Sequence, residues 1–327
     1  MDFTFKTIHD FNDYFKDEKT CYEFLESQRW NGAPVCPHCG SIKTPYKVKP
    51  RGKFTDIPSY RCSERACDLP FSVRTNSIFE GSKVELRKWF QAAYEISTSK
   101  KGISSVELGT RIGVSQKTAW FINHRIRTML VETQPELLSG MVEIDETYVG
   151  GKEKNKHKNK RIEGSQGRSG KGKVPVVGLL QRDGKVATFV VKATDAETLH
   201  QIVNNNVKDG TTVVTDAYRP YNGLNRSYNH IVVKHEEGGY VVKIDNQKFH
   251  TQNIENFWSV LKRGYVGIYH YWSEQHLQRY CNEFATRYNQ KTDSNIYRFT
   301  HIIKNSGTKK ITYDVLTSAL RNKEDKI

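Results

Sequence analysis

At 327 residues the chain is too long for one small core and has room for two or three domains. A hydrophobic fraction of 36% with 11% aromatics excludes a disordered chain, and no apolar run approaches the ~20 residues needed to span a bilayer. The formal net charge of +15 points to a polyanionic partner, because Lys and Arg gain affinity by displacing counterions from phosphates.

The N-terminus, MDFTFKTIHDFNDYF, carries acids early and lacks the apolar stretch of a signal peptide, so a cytoplasmic location is expected. Residues 1–30 read as helical: Phe11, Tyr14 and Phe15 share one face, and Cys21, Phe24 and Leu25 repeat the spacing. Residues 31–80 change to Pro, Gly, four cysteines and short β-like runs such as SYRC and FSVRT. Helical patterning returns over 83–131, with Val106, Leu108 and Ile112 on one apolar face, Gly113 as a terminator and Ser115 as an N-cap. From residue 141 the period becomes that of strands: MVEIDETYVGG, VPVVGLLQR, KVATFVVKA, TTVVTDAY and HIVVKH, with the helix AETLHQIVNNNV before the fourth. One long helical stretch is expected from about Gln252 to Asn289. This order argues an α/β fold, a mixed sheet flanked by helices. The segment after Asn289 reads as a short helical tail.

Of six cysteines, four form two close pairs: Cys36-Pro-His-Cys39 and Cys62-x4-Cys67, separated by 22 residues. In a reducing compartment such pairs read as metal ligands before disulfides. Two knuckles of this kind bring four thiolates onto one structural Zn²⁺, which would supply folding energy that the small β-like segments lack. His38 is a competing donor within the first knuckle.

Residues 103–130 have the shape of a helix–turn–helix, whose second helix would offer Ser115, Gln116 and Lys117 to double-stranded DNA; an ordinary helical hairpin is the alternative. Residues 152–173 hold nine basic side chains, among them Lys154, Lys156, Lys158, Lys160 and Arg161, against two acids. The run is a solvated loop or, since it abuts a proposed active-site strand, a phosphate-contacting arm.

Asp145 lies inside a strand, where a charge is costly unless paired or bound to metal, and Asp216 ends another. Glu255 sits in the helix NIENFWSVLKRG, beside the apolar face made by Ile254, Phe257, Trp258 and Leu261, with Lys262 seven residues on. Three acids meeting in one cleft suit two Mg²⁺ or Mn²⁺ ions about 3.5–4 Å apart, which activate the attacking oxygen and stabilise the leaving one in displacement at phosphorus. Lys262 would hold a phosphate as a point charge, and Arg263 beside it is a further DNA contact. Glu143, on the same strand face as Asp145, and Glu146, on the other, are rival acids.

The runs WNGAPVCPHCGS, FSVRTNSIFE, VEIDETYVGGKEKNKHKNKR, VPVVGLLQRDGKV, VVTDAYRPY and HTQNIENFWSVLKRGYVGIYHYWSEQHLQRYCNEFATRYN together resemble the zinc-ribbon-bearing DDE transposases of bacterial insertion sequences, the ISXO-type group, over roughly residues 20–290. The resemblance implies a ribonuclease H-like core with Asp145, Asp216 and Glu255 as the catalytic acids and Lys262 one helical face beyond. It implies divalent-metal catalysis, recognition of terminal inverted repeats, end cleavage and strand transfer, a homodimer on paired ends, and residence with the bacterial nucleoid. Two positions depart from the group's pattern: the second knuckle has four intervening residues instead of two, and Gln252 stands where Asn is usual.

The expected organisation is a helical segment (1–30), a zinc ribbon (31–80), a helix–turn–helix-like DNA-binding region (81–135), a ribonuclease H-like catalytic domain (136–292) with the basic insert, and a tail (293–327). A sequence-specific DNA-binding regulator with a decayed nuclease core is the rival from another class; a nuclease that cuts without joining is the rival among enzymes.

Overall fold

The computed structural model describes residues 5–50, 54–131, 135–151, 157–161, 172–234, 240–307 and 311–318. The chain forms two compact units, Met1–Leu130 with Thr292–Ile327, and Val131–Lys291.

The first unit opens with α1 (Ile8–Tyr14) and α2 (Glu18–Trp30). Thr7 and Asp10 form a reciprocal capping box on α1, and Asp17 caps α2 through the Thr20 amide, so the expected helical segment breaks at Phe15–Asp17. Three two-residue strands follow, β1 (Tyr46–Lys47), β2 (Tyr60–Arg61) and β3 (Pro70–Phe71), in one antiparallel sheet. Strands this short bury little; Trp30, Tyr60 and Phe71 pack together beneath them, the last two stacked at 5.5 Å.

Helix α3 (Leu86–Thr98) has no side-chain cap of its own at Glu85. The buried Glu18 carboxylate of α2 takes that place, accepting from the amides of Leu86 (2.6 Å) and Arg87 (3.1 Å). Helices α4 (Ser105–Ile112) and α5 (Gln116–Met129) are joined by Gly113, left-handed at φ 64°, and Ser115, which caps α5 as its sequence position implied. Leu108 and Ile112 are buried, but Val106 is 65% exposed. It lies two residues from Leu108, on the far side of a 3.6-residue turn, and so does not join the apolar face expected of it.

The second unit is built on a five-stranded sheet: β4 (Met141–Val149), β5 (Val174–Gln181), β6 (Val186–Val190), β7 (Thr212–Asp216) and β8 (Asn229–Val233), in the order β6-β5-β4-β7-β8. The first three strands are antiparallel neighbours, and β7 and β8 run parallel to β4. With α6 (Ala196–Asn206) crossing from β6 to β7, this is the ribonuclease H-like arrangement. Strand alternation assigns the faces. Val142, Ile144, Val177 and Leu179 pack toward Leu199 and Val203 of α6. On the opposite face Val149, Val176 and Leu180 pack toward α7 (Gln252–Gly264) and α8 (Glu274–Asn289).

Sequence patterning assigns no element to 240–249; there the chain makes a hairpin, β9 (Val242–Ile244) and β10 (Gln247–Phe249), turned by left-handed Asp245 and Asn246. The single helix expected over 252–289 is two helices. After α7 a π-helical turn spans Tyr265–Tyr269, His270 adopts φ 59°, and the chain reverses into α8. Trp272, buried and stacked on Tyr280 at 4.8 Å, anchors that reversal, which a helical period cannot reveal.

The chain then closes the first unit. Helix α9 (Asn295–Lys304) inserts Phe299 among Phe5, Phe11, Phe15, Phe24 and Phe90, and α10 (Tyr313–Thr317) follows. The expected tail thus supplies a core residue of the N-terminal helices. No helix among the described residues is long and apolar enough to cross a membrane.

Gly264 sets the close approach of α7 to α8: an added Cβ would fall 2.1 Å from Phe284 Cζ. Gly264→Ala is therefore expected to destabilise the second unit by about 1–3 kcal/mol despite the better helix propensity of alanine. Urea unfolding followed by a probe in that unit should show a lower midpoint with unchanged slope; an equal or higher midpoint would contradict this packing.

Candidate functional site

The four paired cysteines converge. Cys36 is followed by a tight turn closed by the Gly40 amide on its carbonyl (2.8 Å), with Gly40 left-handed at φ 74°. Cys62 leaves β2, and the longer second loop is closed by the Cys67 and Asp68 amides on the Glu64 carbonyl, with Asp68 at φ 45°. A left-handed residue thus follows the second cysteine of each pair. All four sulfurs lie within 4.8 Å of one another, with Cys36–Cys67 at 3.8 Å and Cys39–Cys62 at 3.6 Å. Thiolates bound at about 2.3 Å to one tetrahedral zinc stand about 3.8 Å apart, whereas a disulfide needs about 2.05 Å. The donor set fits a closed structural zinc site. His38 instead lies with Nε2 3.3 Å from the Pro70 carbonyl.

The second constellation gathers on the α7 face of the sheet. A cavity of about 640 Å³ is lined by Asp145, Glu146 and Thr147 of β4 and by Glu255, Trp258, Ser259, Lys262, Arg263 and Val266. Helical spacing brings Glu255, Ser259 and Lys262 to one wall, as the sequence implied. Asp216 does not line the cavity. The β4–β7 register pairs Glu143 with Val214, so two residues on it sets Asp216 beside Asp145, and its carboxylate accepts from the Tyr218 amide (3.0 Å). Among the described residues only the cysteines form a metal-sized group drawn within 4.8 Å; the three acids are more widely spaced. A pair of ions about 3.5–4 Å apart requires a wider set of donors than one ion does.

The electrostatics of these acids are strained. Burial first, then the negative charges of Glu146, Asp216 and Glu255, push the Asp145 carboxyl up to about 7. Burial also raises Glu146, against the bond it accepts from Tyr221 Oη (2.7 Å). Oxygen donors under such repulsion suit hard divalent cations such as Mg²⁺ or Mn²⁺. Lys262 and Arg263 are exposed cations on the cavity wall.

Three residues that the sequence reading gave no part, or another part, hold this geometry. Trp258, read as core, also donates from Nε1 to Asp145 Oδ2 (3.1 Å). Gly178, paired with Asp145 across β4–β5, makes room for that indole: a Cβ there would sit 2.5 Å from Trp258 Cζ2. Glu143, one of the rival acids, is fully buried at the start of α7 and does not line the cavity. Its position two residues before Asp145 on a buried strand face was the available signal, since a charge there demands partners.

Ser115, Gln116 and Lys117 are exposed at the N-terminal end of α5. Each also has an intramolecular contact. The Ser115 hydroxyl accepts from the Thr118 amide, Gln116 donates to the Ser105 hydroxyl (2.9 Å), and the Lys117 ammonium lies 4.8 Å from the Tyr313 ring centre. In the basic insert, Lys158–Lys160 form a short 3₁₀ turn followed by exposed Arg161; Lys154 and Lys156 lie outside the described residues.

With this geometry in place, the chain can be set against known proteins. Residues 137–289 match the ISXO2-like transposase domain, and residues 16–68 match the transposase zinc-ribbon domain. An uncharacterized protein in transposable element ISH50 of Halobacterium salinarum is 29% identical over 282 residues, covering 84% of this chain and 91% of that one. A chain of a pre-cleavage Mos1 transpososome aligns over 93% of this chain and 97% of that one at 11% identity, with a TM-score of 0.18 too low to carry an argument. The two domain matches, with which the ribonuclease H-like sheet and the four-cysteine ribbon agree, give the class as a transposase. The chain belongs to the ISXO2-like group of insertion-sequence transposases, the IS1595 type.

Two outcomes are expected from the site alone. Purified protein should carry one zinc per chain by elemental analysis, and Cys39→Ser should lose it; a zinc content unchanged in that variant would remove Cys39 from the ligand set. The raised Asp145 pKa means that folding retains a proton which the unfolded chain releases between about pH 4 and pH 7. Stability from this group is therefore fully present below about pH 4 and lost as pH rises through about 7. Without added Mg²⁺, Asp145→Asn should be more stable than wild type at pH 8, by roughly 1–3 kcal/mol, and no more stable at pH 4. A pH-independent difference in melting temperature would contradict the charge repulsion.

Proposed function

We propose that this transposase binds the terminal inverted repeats of an insertion sequence and catalyses metal-dependent end cleavage and strand transfer, with Asp145, Asp216 and Glu255 as its acids. The observation that carries the reading is the cavity lined together by Asp145, Glu255, Lys262 and Arg263, with Asp145 under the negative charge of Asp216. When bound, Mg²⁺ or Mn²⁺ supplies activation of the attacking oxygen and charge stabilisation at the leaving oxygen.

The chain's own residues do the rest. Asp145, Asp216 and Glu255 offer the hard oxygen ligands. Trp258 holds Asp145 Oδ2 by its indole N–H, and Thr251 donates to Glu255 Oε1 (3.1 Å), so each of these two carboxylates is oriented by a neighbour. Lys262 and Arg263 hold the scissile or neighbouring phosphate against the acids. Outside the cavity, the exposed start of α5 (Ser115, Gln116, Lys117) and the basic insert (Lys154, Lys156, Lys158, Lys160 and Arg161) contact double-stranded DNA. Two chains act together on paired ends.

The deciding experiment uses a DNA fragment carrying the element's own ends. Wild type with Mg²⁺ should cut and join it, while Asp145→Asn, Asp216→Asn and Glu255→Gln should bind it with cleavage reduced at least about 10³-fold. Cleavage near the wild-type rate in any of the three would strike that residue from the set. Specific binding of the ends by wild type with no cutting in either metal would favour the DNA-binding regulator.

A further inference from the structure

Helix α7 carries Glu255, and Thr251 at its N-cap makes no side-chain bond to the first-turn amides, of which that of Gln252 donates to His250 Nδ1 (3.3 Å). The Thr251 hydroxyl is turned to Glu255 instead. The helix N-terminus is covered by a residue of the sheet. Glu143 of β4, with no exposed surface, accepts through Oε2 from the amides of Asn253 (2.9 Å) and Ile254 (3.1 Å). Through Oε1 it accepts from Asn253 Nδ2 (2.8 Å) and Arg182 Nη2 (2.9 Å), with His250 Nδ1 at 3.5 Å. Arg182 in turn donates to the carbonyls of Lys248 (2.7 Å) and His250 (3.4 Å), tying the chain that enters α7 to the same carboxylate.

This clamp bears on the acids. Glu143 stands two residues before Asp145 on one face of β4, and it accepts from amides in the same first turn of α7 that carries Glu255. Holding that turn on Glu143 sets where Glu255 stands relative to Asp145. The Trp258–Asp145 bond pins the same strand to the same helix one turn further on. Between these two ties the strand and helix cannot slide without breaking a buried, charge-assisted contact.

We infer that Glu143 is a positioning residue of the active site: it bears no ligand oxygen for the metals but sets the Asp145–Glu255 spacing on which divalent-cation affinity depends. The inference rests on the metal-dependent reading above. It assigns the buried charge in β4 a task that neither core packing nor direct catalysis explains. A buried carboxylate is an expensive way to join a strand to a helix unless its geometry matters.

The test uses the full-length zinc-loaded chain as wild type, Glu143→Gln, Asn253→Ala and Asp145→Asn. Amide hydrogen exchange without added divalent metal reads the clamp, and Mn²⁺ titration by electron paramagnetic resonance reads the site. In Glu143→Gln the first-turn amides of α7 should exchange at least about tenfold faster, while amides of β5 keep wild-type protection. Its Mn²⁺ half-saturation should rise about tenfold or more, the size expected when a group orienting metal ligands is lost. A Glu143→Gln protein with wild-type protection in β5 and an unchanged Mn²⁺ midpoint would overturn the inference. If that variant does not fold, Asn253→Ala decides, because it keeps the buried carboxylate with Arg182 and removes one donor. A raised midpoint there supports the clamp and an unchanged one overturns it. Asp145→Asn separates the two levels. If it too leaves Mn²⁺ binding intact, the metal reading of the cavity fails; if it abolishes binding while Glu143→Gln does not alter it, only the clamp fails.

Discussion

A carboxylate with no exposed surface must find its hydrogen bonds inside the protein, and Glu143 finds them on the first turn of α7. Much of the second unit's functional geometry follows from that requirement. The helix is held against the sheet at its start by Glu143 and in its middle by Trp258 over Gly178, and its end packs on α8 where Gly264 meets Phe284. The apolar face of Ile254, Phe257, Trp258 and Leu261 supplies the adhesion. The polar ties supply the register, which apolar contact alone leaves free to slide.

The first unit uses the same device. Glu18 of α2 caps α3 as Glu143 of β4 caps α7, and in both cases the receiving helix has no side-chain cap at its own N-cap. A cap donated by another element couples the two elements, whereas a local one such as Ser115 on α5 stabilises only its own helix. The ribbon, with strands of two residues, has neither an extensive core nor long ladders. Its four convergent thiols and the Trp30–Tyr60–Phe71 cluster hold it together instead.

The sheet also sorts its acids by chemistry. Alternation along β4 turns Glu143 and Asp145 toward α7, while Glu146 reaches Tyr221 on the other side. Glu143 has cationic and amide partners, Glu146 a phenol, and Asp145 an indole with three negative neighbours. Of these, Asp145 is left with the largest unmet need for positive charge, which fits the oxygen-ligand role proposed for it.

Much was legible from the residues alone. β-rich runs separated by turn signals marked all five strands of the main sheet, since strands that face a core must be rich in apolar, β-branched residues. The cysteine pairs marked the ribbon, because few other arrangements explain four thiols at that spacing. Glu255 and Lys262 could be placed on one helical wall, as helical periodicity is local. What depends on distant partners was not legible. Helical periodicity ran unbroken through the reversal at 265–273, which is set by Trp272 meeting Tyr280. The last residues read as a tail, yet Phe299 completes a cluster with five phenylalanines from the other end of the unit. Sequence offered Glu143, Asp145 and Glu146 as three neighbouring acids and, without a resemblance, no ground for ranking them. Only tertiary structure gave each its partners, because a carboxylate's role is decided by what surrounds it in space and not by its neighbours in the chain.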